Sequence, residues 1–495
     1  MSRSRNNASS ASSLPSERSE LSVKKSSGSI SPNSSNRSDL SDRSYTMREL
    51  ACNLRDAVVL VSGHGLVTES TGKTTITTRT GNGFFIKGHY IICPADLILM
   101  HPDTFSSGQR IPSHPSISTS GLGGATNPNA LIRVSRILVD VSNVNGCSSA
   151  YSYEADIIGI DGAANIAVLC INMDHAWNHG NPPLRVCHPV LQWGKSRSSC
   201  PGDRVMVIGN TSAVATIGLT RSKDEMLAAE NAIAIGNIAD NRYIFPGGQV
   251  PGELLLLSHI MTHGTQRGLP VITIDGTVIG MIVHIANGEY NVAISEFFMR
   301  RPVKALIRSR QDNAVPDHYR GFVELVDDPI GQYYRFNKSW LGLSGIMMTP
   351  ADYHTDLVMH SDNTITRVPA PDPLSTGPSS KEIMGYRILM TNSPNPLFPS
   401  LKSSPSILEV ISHGDIITHI NGCLLGDRKK QIAPSLVMWR VRPGDTITLM
   451  YKKQAERFET THEIMVPTDS YDPFLDFPFY AYSSASIQSM LPTLI

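Results

Sequence analysis

Residues Thr262–Ile285 read THGTQRGLPVITIDGTVIGMIVHI, and this stretch decides how the chain folds. Pro270–Ile274 and Val278–His284 are short apolar runs on either side of the turn signal Asp275-Gly276. That pattern predicts two β-strands joined in a hairpin. Just before the first strand, Gly264 and Gly268 mark a tight loop. At its centre stands Arg267, whose guanidinium stays protonated at any physiological pH and cannot attack a carbonyl.

Outward from this hairpin, short strands separated by turn residues recur in both directions. Upstream they are expected at Ala57–Ser62, Thr74–Thr80, Gly83–Lys87 with His89–Cys93, Leu131–Val141, Ser152–Ile160, Ile166–Ile171, the run 202–210, Ile233–Ile238 and Leu254–Ile260. Many short strands without intervening helical periodicity predict a pair of all-β barrels. Val303–Arg310 reads as a short helix closing that region, and Asp103–Asn129, rich in Gly, Ser, Pro and Thr, as a long surface loop. Further on, Trp340–Met347 and Tyr386–Thr391 read as strands with an exposed loop between them. Ile432–Trp439 reads as a helix and Thr446–Lys452 as a strand. No internal repeat is visible.

Composition bounds the function classes. With 495 residues and 53.9 kDa, two or three domains are expected, and 40% hydrophobic residues suffice for real cores. A formal net charge of +0 and a pI near 7.3 supply no global field toward nucleic acid or an anionic membrane, so neither is expected as a partner. The N-terminus MSRSRNNASSASS has no apolar core of a signal peptide, and no run is long enough to cross a bilayer. Seven scattered cysteines without a CxxC pair suit free thiols in a reducing compartment. A soluble intracellular, cytoplasmic protein is the expectation, with no metal and no cofactor. Five segments follow: a disordered Ser-rich arm at 1–46, a double-barrel domain at 47–310, a linker at 311–337, a second domain at 338–468 and a tail at 469–495.

Several of these segments, in order, resemble HtrA/Deg-type trypsin-like serine proteases. The hairpin stretch is similar to that family's nucleophile loop, Gly-Asn-Ser-Gly-Gly-Pro-Leu followed by Asp-Gly and a Val-Ile-Gly strand. GNGFFIKGHYIICPADLIL at 81–99 is similar to its Gly-Ser-Gly-Phe hairpin and Thr-Asn-x-His segment. GIDGAANIAVLCI at 159–171 is similar to Gly-x-Asp-x-x-x-Asp-Ile-Ala-Val-Leu, and GDRVMVIGN at 202–210 to Gly-Asp-x-Val-x-Ala-Ile-Gly-Asn. In this register the general-base histidine falls at Asp96, the orienting aspartate at Asn165 and the nucleophile at Arg267. The resemblance therefore implies a chymotrypsin-like double β-barrel whose three catalytic positions are all substituted. A carboxylate is too weak a base near neutral pH to activate a hydroxyl, and none stands at Arg267. Thr265 and Leu269 replace glycines of the oxyanion loop and restrict its backbone. Asp96 and Arg267 are expected to form an ion pair with Asn165 beside it; the other reading leaves Arg267 snorkelling into solvent.

The later part resembles the PDZ domain of the same family. Trp340-Leu341-Gly342-Leu343 is similar to the loop that holds a peptide's C-terminal carboxylate there. Ser393-Pro394, the GDIITHING run at 414–422 and Arg442-Pro443-Gly444-Asp445 follow as further landmarks, implying a PDZ-like α+β domain. The other reading is a packed spacer. The run Pro492-Thr493-Leu494-Ile495 offers a branched apolar residue of the kind such pockets accept; self-docking and a disordered tail are both open. The function these features imply is a non-catalytic pseudoprotease that binds protein or peptide C-termini as a scaffold or assembly component. A homo-oligomer follows from the resemblance. The alternative is a divergent serine or cysteine protease with relocated groups, for which Cys93, His259 and His263 are the nearby candidates.

Overall fold

The computed structural model describes residues 47–68, 74–99, 134–141, 151–173, 189–210, 231–243, 254–260, 267–286, 290–328, 331–340, 343–347, 355–359, 365–369, 385–391, 410–412, 414–426, 432, 434–456 and 460–471. The Ser-rich arm, the loop at 103–129, residues 472–495 and the positions Gly264, Thr265, Gln266, Leu341, Gly342, Ser393 and Pro394 lie outside these residues.

After a helix α1 (Met47–Leu54) come strands β1 (Val58–Thr68), β2 (Thr74–Lys87), β3 (Tyr90–Pro94), β4 (Val134–Val141), β5 (Tyr151–Asp161) and β6 (Ile166–Ile171). All their pairings are antiparallel, and because β5 bonds both β4 and β6 the ring β4-β1-β2-β3-β6-β5 closes on itself. A two-residue strand β7 (Gln192–Trp193) precedes β8 (Arg204–Asn210), β9 (Asn231–Tyr243), β10 (Leu254–Ser258), β11 (Pro270–Thr273), β12 (Thr277–Ala286) and β13 (Tyr290–Ser295). These six close as β11-β8-β9-β10-β13-β12. Counting first to sixth within each set, both rings run 4-1-2-3-6-5. The chain is a chymotrypsin-like double β-barrel.

The burial pattern explains the strand sequences. In β6, IAVLCI is almost continuously apolar because it is covered on both faces. Ala167, Leu169 and Ile171 fill the first barrel together with Val59, Phe85 and Tyr153, whereas Ile166 and Val168 join the cluster that runs between the barrels. The second barrel has its own interior of Val205, Val207, Leu255, Leu257, Val271 and Ile282. Between the two lie Phe84 and Ile92 from the first and Met206, Ile208 and Ile272 from the second.

Helix α2 (Glu296–Asp312) seals this seam. It begins seven residues before the helix expected at Val303–Arg310, because Ser295 sits extended at its N-cap and Pro302 is tolerated well inside it. Asn313 ends it in the left-handed conformation, its N–H returned to Arg310 and Ser309 carbonyls. Phe298, Val303, Leu306 and Ile307 form its buried face. At Gly159 in β5 a side chain would lie 2.6 Å from Leu306 and 2.7 Å from the Tyr334 carbonyl, so the glycine allows the helix and the next hairpin to approach.

That hairpin corrects the linker expected at 311–337. Residues Val323–Asp328 (β14) and Gly331–Phe336 (β15) pair with each other, and β15 adds in parallel to β5, extending the first barrel's sheet to eight strands. Tyr333 and Tyr334 carry the burial that makes this an integral element. Two further boundaries differ from those expected. Thr74–Thr80 and Gly83–Lys87 are one strand, and Trp340–Met347 divides into β16 (Lys338–Trp340) and β17 (Leu343–Met347).

The rest of the chain forms a sheet ordered β17-β20-β21-β23-β24, where β20 is Tyr386–Thr391, β21 Ile416–Ile420, β23 Thr446–Lys452 and β24 Thr461–Pro467; β22 (Cys423–Leu424) pairs with β21. A separate hairpin of β18 (Thr355–Met359) and β19 (Ile365–Pro369) occupies part of the expected loop. Short helix α3 (Pro434–Met438) and a core of Ile388, Ile417, Leu449, Tyr451 and Val466 complete the domain. The GDIITHING run earns its residues through turns: Asp415 accepts from the Ser412 and Gln454 amides at 2.8 and 2.9 Å, and Asn421 (φ 49°) accepts from Thr448 N at 2.8 Å. Finally β25 (Asp469–Tyr471) turns back to pair with β16.

Phe298 meets residues of both domains, so truncating it empties the seam. Phe298→Ala is expected to lower stability by about 3–5 kcal/mol, read as a lower urea midpoint with an unchanged slope.

Candidate functional site

The site forms where the two barrels face each other, and its first fixed point is backbone. Gly268 has φ +84°, a conformation that L side chains rarely adopt. A Cβ there would lie 1.9 Å from the carbonyl oxygen of Asn82 in β2. The Gly268 amide donates to the Ile282 carbonyl at 2.8 Å, and the Asn82 amide donates to the Arg267 carbonyl at 2.7 Å. The buried Asn82 side chain adds a second, longer bond to the same carbonyl at 3.4 Å. Arg267 is thus pinned against the first barrel while belonging to the second.

The second fixed point is the turn after β3. The Ala95 amide donates to the Asn165 carbonyl at 3.1 Å and the Asp96 amide to Asn165 Oδ1 at 3.0 Å. Asn165 reaches this position because it sits at φ 52°, where a short polar side chain is tolerated. The turn that presents it is closed by Asp161, whose Oδ1 accepts from the Ala164 amide at 3.0 Å.

The three side chains then meet. Arg267 Nη1 lies 2.5 Å from Asp96 Oδ2, and Asn165 Nδ2 donates to Asp96 Oδ1 at 3.4 Å. The Asp96 side chain is only 1% exposed, the Arg267 side chain 35%. Each carboxylate oxygen has a donor, and Arg79 Nη1 donates to the Asp96 carbonyl at 3.0 Å. Of the two readings of Arg267, the structure has the ion pair. Asp96 comes from the connection between the third and fourth strands of its barrel, and Arg267 from the connection of the same rank in the other.

Other candidates fall elsewhere. Cys93 is buried inside the first barrel, and burial, then the nearby Asp96 charge, pushes its thiol well above the ordinary cysteine range. His259 is exposed at the end of β10 with φ 61°, and His263 lies outside the described residues. Leu269 turns its side chain into the second barrel's interior. Among the described residues no group of three His, Cys, Asp or Glu side chains gathers. No helix among them is long and apolar enough to cross a membrane. Trp340, at the end of β16, pairs with Asp469 through the backbone, and Leu343 opens β17. Sequence reasoning passed over Asn82 and Arg79; the signal for Asn82 was an amide flanked by two glycines, Gly81 and Gly83.

No family model and no curated protein matches this sequence. Among solved structures it is similar to an HtrA-type protease AlgW with a decapeptide, at 13% identity and a TM-score of 0.48, over 87% of this chain and 100% of that one. A variant of AlgW with a tripeptide is similar at 13% identity and a TM-score of 0.47, over 87% and 98%.

Removing Arg267 leaves a buried carboxylate without its countercharge. Arg267→Ala is expected to lower stability by about 3 kcal/mol, the low end for a broken buried pair because water screens the partly exposed guanidinium, as measured by chemical denaturation. Asn165→Asp sets a second carboxylate against Asp96, which raises the pair's folded-state pKa. The folded state then holds more protons than the unfolded, so stability falls as pH rises from about 4 toward 7; thermal melts across that range read the sign.

Proposed function

We propose that this chain is a non-catalytic, HtrA-like pseudoprotease that works by binding. The observation that carries the reading is the closed contact of Arg267, Asp96 and Asn165 at the place where a protease of this fold keeps its nucleophile, base and orienting acid. Arg267 has no lone pair to offer, and Asp96 is held as the acceptor of two donors rather than poised to take a proton. Cys93 does not replace the nucleophile, since its thiol is buried and disfavoured as thiolate.

The C-terminal domain supplies the binding function in this reading. Its strand β17 lies at the edge of the sheet, paired with β20 alone among the described residues. An extended peptide adds to such an edge, and the Trp340–Leu343 loop would receive its terminal carboxylate, as PDZ-like domains do. The partners are proteins or peptides with free C-termini, and the chain serves as an intracellular scaffold or assembly component that forms homo-oligomers.

Two measurements test this. The purified full chain is expected to leave a fluorophosphonate probe and a thiol-directed probe unreacted at any protected site and to leave casein uncut. Casein cleavage abolished by a single serine or cysteine substitution would replace this reading with a relocated protease. In a panel of matched peptides, free carboxylate ends are expected to bind at least tenfold more tightly than amidated ones; equal binding would remove the C-terminal recognition.

A further inference from the structure

Trp439, just past α3, packs edge-on to Phe298 of α2 and against Phe336 of β15, and cations gather around it. Lys338 Nζ lies 4.6 Å from its ring centre and is matched by Asp161 Oδ2 at 3.0 Å, both side chains being buried. Arg301 of α2 donates to the Trp439 carbonyl at 2.6 Å, and its guanidinium stacks 4.3 Å from the centre of the Phe322 ring. Arg440 is the residue after Trp439. Arg442 lays its stem against Gly321, the residue before Phe322: a Cβ at Gly321 would lie 3.2 Å from Arg442 Cδ. Contacts at two separate points of the chain thus draw Arg301, Arg440 and Arg442 to one place.

Lys338 has its countercharge and these arginines do not. Among the described residues no carboxylate forms an ion pair with Arg301, Arg440 or Arg442, because the acids of the same segments are engaged elsewhere. Glu296 takes Arg300 at 3.4 Å, Asp317 takes Arg320 at 3.0 Å, and Asp445 Oδ2 accepts from the Arg442 amide at 3.1 Å. Burial works most strongly against the Arg301 charge; Tyr319 acts the other way, and Arg440 and Arg442 add repulsion. Like charges assembled in this way destabilise the folded chain until an anion joins them. The groups are also held in advance. The Arg442 carbonyl accepts from Thr468 Oγ1 at 3.0 Å, and Arg301 is fixed by the Trp439 carbonyl and the Phe322 ring. Arg440 and Arg442 are exposed and Arg301 is half-buried, so a solute can reach them.

The kind of anion follows from shape and surroundings. A guanidinium offers planar pairs of N–H donors that match the oxygens of a phosphate. A phosphate monoester brings a charge of about −1.5 to −2 near neutral pH and three acceptor oxygens, enough to engage several arginines at once. A long polyanion fits less well. β14 begins at the residue after Phe322 and carries Glu324 and Asp327, both exposed, so an extended phosphate backbone would run onto like charge. We propose that Arg301, Arg440 and Arg442 form a binding site for a phosphate group free on at least three oxygens, carried by a phosphorylated peptide or present as the free ion. The site uses no residue of the Trp340–Leu343 loop or of the cleft between the barrels.

Calorimetry and thermal melts of the full chain, at constant ionic strength, test the site. The peptides are acetylated and amidated at their ends, so no free carboxylate contributes. A phosphoserine peptide is expected to bind at least tenfold more tightly than its unphosphorylated match, and Arg440→Gln/Arg442→Gln is expected to lose that preference. Inorganic phosphate in place of chloride is expected to raise the melting midpoint of the wild type and to leave that of the double variant unmoved. A phosphopeptide preference that free phosphate competes away identifies a phosphorylated chain as the ligand. A phosphate-dependent midpoint with no preference between the peptides identifies the free ion. Either result, lost in the double variant, supports the site. No phosphate effect on the wild type, an equal effect on wild type and variant, or a phosphodiester oligonucleotide bound as tightly as the phosphopeptide overturns it. Should the double variant not fold, Arg440→Gln alone carries the same comparison, with an expected loss of about threefold or more.

Discussion

A buried carboxylate must find its charge partner within the protein, and at Asp96 that partner comes from the opposite barrel. Everything near the cleft is arranged around this need. The Gly268 backbone takes a conformation that glycine alone adopts readily, in a space too small for a side chain, and so brings Arg267 against Asn82. Asn165 takes a left-handed conformation to cover the other carboxylate oxygen. Each local concession is offset by the large apolar seam that the two barrels and α2 share.

In the proposed reading, the same logic separates this cleft from a working one. A hydrolase needs a group able to give up a proton and a neighbour able to take it, with some mobility between them. Here the facing loops hold a permanent cation, a carboxylate with both oxygens engaged and an uncharged amide. Such an arrangement favours rigidity, which in the proposed reading suits a surface that other molecules recognise.

Much of this was legible in the residues, for identifiable reasons. Ile166–Ile171 and Thr446–Lys452 are found at the bounds their sequence predicts, because continuous or alternating apolar runs between turn residues leave little choice. Asp96, Asn165 and Arg267 could be placed because their flanking turns and strands fix the register on both sides. What escaped depends on distant partners. Tyr290–Ser295 reads as nothing special until β10 and β12 pair with it. The β14–β15 hairpin looks like a linker until Tyr333 and Tyr334 find the first barrel. Lys338 and Asp161 stand far apart in sequence and each looks like an ordinary charged residue.

The shared ring order of the two barrels has a further consequence. Two connections of equal rank meet across the cleft, one through a residue just after its barrel's third strand and the other through a residue just before its barrel's fourth. Identical carboxylates or identical guanidiniums would repel at that distance. A structure repeated this faithfully in its strands is compelled to break its own symmetry at the point of contact, which is where the halves have least freedom to look alike.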